Sequence, residues 1–380
     1  MASTATTPLV TPARKPPLPA LTGIRTLLAF NIVLFHFTPP YLGPIRPFVE
    51  HGFVFVNVFF LISGFILSYN YFDRGVNLNK RDFWMARFAR LYPVYLLVLL
   101  MSIPMLELEW QARSVTEFWQ GVVMTPLLLQ GWSPSLATFW NTVAWTLSCE
   151  VAFYALFPWL IRLPWPKKPS RLILTIFILW VIDLIPAALY LWLNPDHLSA
   201  PVDRYTSTTI IRFLKYTPLP YAPTFLSGIA LSRLQWTLKI SERQRMSIAA
   251  AALGLLGLFF FTISDRVPYL VLHCGLLLPF FSAMVFGLSG RHAISRIFAW
   301  GPLLLVGESS YVLYLLHFNA YILMHKYHLI ERLHLTTLDP WISYAALIAM
   351  SVLVYKFFEN PVRRAILNRF PPASRRAATS

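Results

Sequence analysis

Residues 25–36 read "RTLLAFNIVLFH": an arginine and a histidine close off a stretch that is otherwise almost wholly apolar. Extended to 21–38, the run approaches the length of a membrane-crossing helix, since about 20 residues at 1.5 Å each span the hydrocarbon layer. The rest of the chain repeats the pattern. Its 380 residues are 57% hydrophobic and only 13% charged, with a mean hydropathy of +0.57; a soluble domain carries about twice that charged fraction. Further apolar runs occupy 52–70, 91–106, 142–163, 171–193, 220–236, 246–263, 267–288, 302–325 and 341–359. In lipid, a single segment satisfies its own backbone only as a helix. The expected fold is all-α: a polytopic membrane protein of about ten transmembrane helices. The shorter apolar stretch 118–130 reads as interfacial or re-entrant.

The basic residues orient this arrangement, because Lys and Arg collect on the cytoplasmic side. With the N-terminus inside, 23 of the 32 basic residues fall in cytoplasmic segments and eight in outer ones. Both termini are therefore expected in the cytoplasm. The net charge of +16 is mostly this bias, and no nucleic-acid partner is needed to explain it. Residues 1–20 read as a disordered, Pro-rich lead and not a cleavable signal, 21–365 as the membrane domain, and 366–380 as a basic cytoplasmic tail. Cys149 and Cys274 both fall inside predicted spans and suggest no disulfide framework. No metal-ligand array or glycine-rich phosphate loop is present; His325 and His328, three apart, read as water-facing residues at a helix end. A secondary transporter would show repeated halves with broken helices in matching positions. The sequence shows neither.

Helix geometry relates the two ends of the opening stretch. Eleven steps of 100° leave Arg25 and His36 only about 20° apart around the axis and about 16 Å apart along it. One stripe thus joins an arginine at the inner mouth to an imidazole expected near mid-depth. Arg25 serves either as a snorkelling anchor or as an anion site; His36 is an expensive group in lipid, which points to function. In "FWMARFARLYPVYL", Arg87 and Arg90 share one helix face at the inner end of the third span, either as topology signals or as a phosphate clamp. Glu150, within "WTLSCEVAFYALFP", is expected at the depth of His36, where a carboxylate fixes the tautomer of a ring and raises its basicity. His317 in "YLLHF" lies in the outer half of the ninth span, where it either lines an acceptor channel or packs.

Six strings in this order resemble the acyltransferase-3 family of multi-span membrane O-acyltransferases: "LTGIRTLLAFNIVLFHF", "VNVFFLISGFILS", "FWMARFARLYPVYL", "WTLSCEVAFY", "GESSYVLYLLHF" and "FFENPVRR". The similarity runs from about residue 21 to 365. It implies transfer of an acyl group, usually acetyl, from cytoplasmic acyl-CoA to a hydroxyl of a sugar or similar acceptor, across the bacterial cytoplasmic (inner) membrane. It makes His36 the catalytic histidine with Arg25 its partner arginine, and Arg87 and Arg90 the donor-contacting pair; no metal is implied. Two departures stand out. Many members carry Val-Asp where this chain has Val56 and Asn57, and Glu-Glu-Gln where it has Glu150, Val151 and Ala152.

Joined to the physical reading, this predicts that acyl-CoA docks its nucleotide among Arg87, Arg90 and Arg25 and threads its pantetheine arm toward His36, oriented by Glu150. The ring then acts as general base or briefly takes the acyl group itself. The acceptor is expected to be an extracytoplasmic or membrane-linked polysaccharide, with a small molecule or lipid as the alternative. Some relatives end in an extracytoplasmic hydrolase-like domain that this sequence lacks, so it either finishes the transfer alone or hands the acyl group to an unseen partner. The long outer segments 107–141 and 194–219 are rich in aromatic residues and Pro. Trp110, Trp119, Trp132 and Trp140 there either stack on sugar rings or anchor the protein at the interface.

Overall fold

Proline, asparagine and serine mark where the helices begin. Pro19 opens α1 (Pro19–His36), where its missing N–H costs nothing. After α2 (Phe55–Tyr71), the side chain of Asn79 accepts from the Asp82 N–H at 3.1 Å and starts α3 (Lys80–Met101). Then follow α4 (Trp145–Leu160), α5 (Pro169–Leu193) and α6 (Pro218–Thr237); Ser241 and Gln244 form a reciprocal cap on α7 (Glu242–Thr262). α8 (Leu278–Leu288), α9 (Gly301–Lys326) and α10 (Trp341–Val354) complete the bundle. A π-helical turn, Tyr355–Glu359, carries α10 into α11 (Asn360–Arg369).

The computed structural model describes residues 15–371, so the expectations for residues 1–14 of the lead and 372–380 of the tail lie outside the described residues. Each of the ten predicted runs contains helix, and no strand occurs among the described residues. Among the described residues, seven helical stretches are long and apolar enough to cross a membrane. The chain is an all-helical integral membrane protein.

Burial separates core helices from lipid-facing ones. In α1 67% of the apolar window is buried inside the protein, and in the stretch 52–75 it is 78%, against 22% for α5 and 28% for α7. Polar groups on α1 and α2 therefore face protein, not lipid. Two close helix contacts hold these elements centrally. Gly64 of α2 and Gly228 of α6 each lie against the other helix's backbone, where a Cβ would run into the carbonyl of Phe225 or Leu61. Gly307 lets α9 press on the Thr22 carbonyl of α1 in the same way. Small residues serve membrane helices in this manner because lipid offers no hydrophobic drive for their association.

Two expectations change. The predicted span 267–288 is broken: a short helix, Tyr269–His273, ends at Gly275 (φ +82°) before α8 begins. Asp183 of α5 packs against that glycine and accepts from Thr224 Oγ1 at 2.6 Å, while Trp180 Nε1 donates to the Leu276 carbonyl at 3.1 Å, so side chains support the interrupted backbone. The third span begins at Lys80, eleven residues before the apolar run at 91–106 suggests, because its first turns are polar and face the end of the bundle. The stretch 118–130 holds only the short helix Val115–Met124, followed by turns. These turns enter the protein: Tyr95 Oη of α3 donates to the Thr125 carbonyl at 2.6 Å, and the Gly131 N–H to Ser148 Oγ of α4 at 3.3 Å.

Candidate active site

α1, α2, α3, α4 and α9 enclose a chamber of about 230 Å³. Along α2 it runs from Leu67 to Val56, about 16 Å at helical rise. Arg25, Arg87, Arg90 and Glu150 all line it, so four of the six predicted site residues meet in one cavity. The spacing explains why: Arg87 and Arg90, three apart on α3, share the face turned to α1 and α2.

Within the chamber Glu150 interacts electrostatically with Arg25 first and more weakly with Arg90 and Arg87. The Tyr154 hydroxyl stands beside it and lies 3.0 Å from Ser63 Oγ. Arg90 is held from outside the cavity by Glu359, with which it forms an ion pair; the Glu359 side chain is only 1% exposed. The π-helical turn places Glu359 there. This residue is absent from the predicted site, although the string "FFENPVRR" contains it, an acid at the rim of a basic surface.

His36 lies elsewhere. It is the last residue of α1, and neither it nor His317 lines the chamber. The two rings meet each other: His317 Nε2 is 3.1 Å from His36 Nδ1. His36 Nδ1 is also 3.0 Å from the Ile32 carbonyl, and His317 Nδ1 is 2.6 Å from the Tyr314 carbonyl. For neutral rings these contacts assign the protons. His317 Nδ1 must donate to a carbonyl, so its Nε2 accepts; His36 Nδ1 then donates, and Nε2 of His36 carries the free lone pair.

The expected pairing of Glu150 with His36 is therefore corrected: Glu150 interacts with Arg25 electrostatically, beyond ion-pair distance, and His36 contacts His317. The reason is depth. Counting inward from Trp140 assumes that the fourth span enters from the surface, whereas residues 125–144 fold over the start of α4, with Asn141 Nδ2 donating to the Leu315 carbonyl at 3.1 Å. Glu150 is displaced toward the arginines, and α1 ends at His36 instead of passing beyond it.

Aromatic rings connect the two sites. The Arg25 guanidinium lies 5.8 Å from the Phe59 ring centre, Phe59 lies 6.3 Å from Tyr314, and Tyr314 lies 5.8 Å from His317. At the far end Arg204, from the long segment 194–219, donates to the Phe35 carbonyl at 3.3 Å and covers the Phe35 ring at 4.1 Å. It brings a cation to the His36 end, which only the folded loop reveals. Of the four tryptophans, Trp110, Trp119 and Trp132 are half exposed, whereas Trp140 donates through Nε1 to the Ser102 carbonyl at 3.1 Å and serves the loop itself. His325 and His328 have separate acidic partners, Asp339 and Glu331. Cys149 and Cys274 are buried free thiols.

A family model described as "acyltransferase domain" matches residues 18–355, a span that holds the whole chamber and both histidines. The chain belongs to the acyltransferase-3 family. Relatives within reach of this family include the acyltransferase MdmB of Streptomyces mycarofaciens, 34% identical over 162 residues that make up 40% of this chain and 41% of MdmB. The O-acetyltransferase OatA of Staphylococcus aureus is 22% identical over 369 residues, covering 91% of this chain and 57% of OatA. A putative O-acetyltransferase of Staphylococcus aureus strain COL is 24% identical, again covering 91% of this chain and 57% of its own length. The chain thus spans between 41% and 57% of the length of these acyltransferase relatives. No solved structure matches it.

Proposed function

We propose that the chain is a membrane O-acyltransferase that moves an acyl group, acetyl in the simplest case, from cytoplasmic acyl-CoA to a hydroxyl of a glycan on the outer side of the cytoplasmic membrane. The observation that carries this reading is the order of groups along the molecule: arginines at one end of a narrow chamber, and an imidazole pair beyond its other end. The cavity is small beside the roughly 300–1,000 Å³ of sites that enclose drug-sized ligands. It takes a slender pantetheine arm and leaves the nucleotide at the basic rim, where guanidiniums meet phosphates. The basic end faces the cytoplasm in this reading, and both termini lie there.

His36 is the catalytic base. Nε2, the nitrogen with the free lone pair, takes the proton of the acceptor hydroxyl as its oxygen attacks the thioester carbonyl. The carbon–sulfur bond breaks, and the departing thiolate receives that proton from the imidazolium. His317 positions the ring by accepting from Nδ1, and so favours the tautomer with Nε2 unprotonated. Arg25, Arg87 and Arg90 hold the donor, with Glu150 balancing Arg25 in the chamber. The half-exposed tryptophans of 107–141 offer faces on which sugar rings stack.

The test is direct. Purified protein in lipid nanodiscs receives labelled acetyl-CoA and cell-surface glycan; label is expected in ester linkage to the glycan, with free CoA released in equal amount. Failure of the protein to bind acetyl-CoA at all would overturn the reading.

A further inference from the structure

The two arginines of the predicted clamp have different partners: Arg90 pairs with Glu359, and Arg87 Nε has no hydrogen-bond partner among the described residues. α3 packs beside α11 and the π-helical turn that leads into it; Arg87 and Arg90 come from α3, Glu359 from the turn and Arg363 from α11. Residues three or four apart share a helix face, and this brings the four groups together in two levels. At the deeper level Arg90 is neutralised by Glu359. One turn away on each helix, the register set by the Arg90–Glu359 ion pair brings Arg87 of α3 toward Arg363 of α11, and the two like charges repel.

No carboxylate lies within ion-pair distance of Arg87, Arg363 or Arg25 among the described residues. Arg87 Nε is shielded from solvent and has no hydrogen-bond partner among them either. The nearby Glu308 is turned to the Tyr355 hydroxyl at 2.9 Å. Four guanidiniums therefore share two carboxylates, Glu150 and Glu359, which leaves an excess of positive charge; Glu150 acts most strongly on Arg25 and Glu359 is bonded to Arg90. Two neighbouring arginines without a carboxylate, one lining the chamber and one on the helix beside it, are costly unless an anion joins them.

We infer that Arg87 and Arg363 together bind a phosphate monoester dianion, and that this dianion is the 3′-phosphate of the donor nucleotide. A monoester carries close to two charges and several acceptor oxygens, which matches two guanidiniums facing one another. A diphosphate linkage carries one charge per phosphorus and must lead onward into the chamber, toward Arg25 and Arg90. Arg363 is thereby a donor-binding residue outside the Arg-x-x-Arg pair. Arg90, held in place by Glu359, stays with Arg25 for the diphosphate deeper in the chamber.

The inference rests on the acyl-CoA reading above, and the experiment separates the two. Binding of acetyl-CoA and of 3′-dephospho-acetyl-CoA to the full-length protein in nanodiscs is measured by calorimetry. The unaltered protein is expected to prefer the complete donor by about tenfold, the equivalent of one charge-assisted contact. Arg363→Ala is expected to erase that preference by weakening the complete donor alone, and Arg364→Ala, at an exposed neighbour, to retain it. Arg363→Gln, closer in shape, is expected to behave as alanine does and replaces it if the alanine variant does not fold. Equal affinity of the unaltered protein for both donors overturns the inference and points to a lipid phosphate at the pair; so does a preference that survives at Arg363→Ala. Absence of binding to either donor overturns the acyl-CoA reading instead.

Discussion

His317 holds His36 by a single nitrogen: Nε2 of one ring sits 3.1 Å from Nδ1 of the other, and the backbone carbonyls of Ile32 and Tyr314 take the remaining inward positions. This leaves Nε2 as the one basic site of His36. Removal of the ring is expected to differ from removal of its support. His36→Ala should lower turnover by about 10²–10⁴-fold, the range of a lost general base. His317→Ala should lower it by about 10²-fold through misplacement of the ring. His317→Gln, which can still accept at that point, should recover part of the loss. Steady-state kinetics with labelled donor, alongside elution profiles of folded protein, checks all three, and an unchanged kcat in His36→Ala sinks the assignment.

Arg87→Ala should act on donor binding. One lost charge-assisted contact is worth about 1.5–3 kcal/mol, or roughly 10- to 100-fold in the KM for acetyl-CoA, with kcat little altered. A fall in kcat at constant KM would instead place Arg87 at the reacting atoms.

Arg90 and Glu359 form a buried pair, and breaking it from one side strands a charge. Glu359→Ala is expected to destabilise the protein by about 3–5 kcal/mol, visible as a lower Tm in detergent. The double variant Arg90→Met with Glu359→Leu should regain much of that loss, because both charges then leave together. A single variant as stable as the original would show that the pair contributes nothing.

Lys215 makes stability depend on pH at the opposite end. Its Nζ donates to the carbonyls of Arg204 at 2.9 Å and Thr206 at 3.3 Å, and burial pulls its pKa down from 10.5 to about 8. Between those values the unfolded segment binds the proton and the folded one does not, so stability rises with pH across that window, by at most about 1.4 kcal/mol per unit. Below pH 8 the ammonium is charged in both states and the burial cost is constant. Thermal unfolding from pH 7 to 10 should show this rise in the original protein and lose it in Lys215→Met. A slope untouched by the substitution would exclude Lys215 as its source.

Much of the arginine-lined chamber is legible in the sequence. Arg25, Arg87 and Arg90 stand at the starts of predicted spans, on computable faces, and Glu150 is the one carboxylate of its run. Relations between helices are not legible in this way. Depth along the fourth span depends on residues 125–144 folding over its beginning, which hydropathy does not encode. The contact of His317 with His36 needs α1 and α9 to be neighbours, and Gly307 makes that possible by a closeness that no periodicity announces. The break at Gly275 hides inside an apolar run because Asp183 and Trp180, nearly a hundred residues away, support it. Glu359 was visible as a motif residue, but its bond to Arg90 is a property of the π-helical turn.

Phe59 and Tyr314 stand between the arginine chamber and the imidazoles. A bore open from one face of a membrane to the other would let hydronium run down its gradient and drain the cell's energy store, so a catalyst working across that barrier needs a stopper. On the acyl-CoA reading proposed above, Phe59 and Tyr314 are the two rings placed to serve as one, and the thioester would have to pass between them.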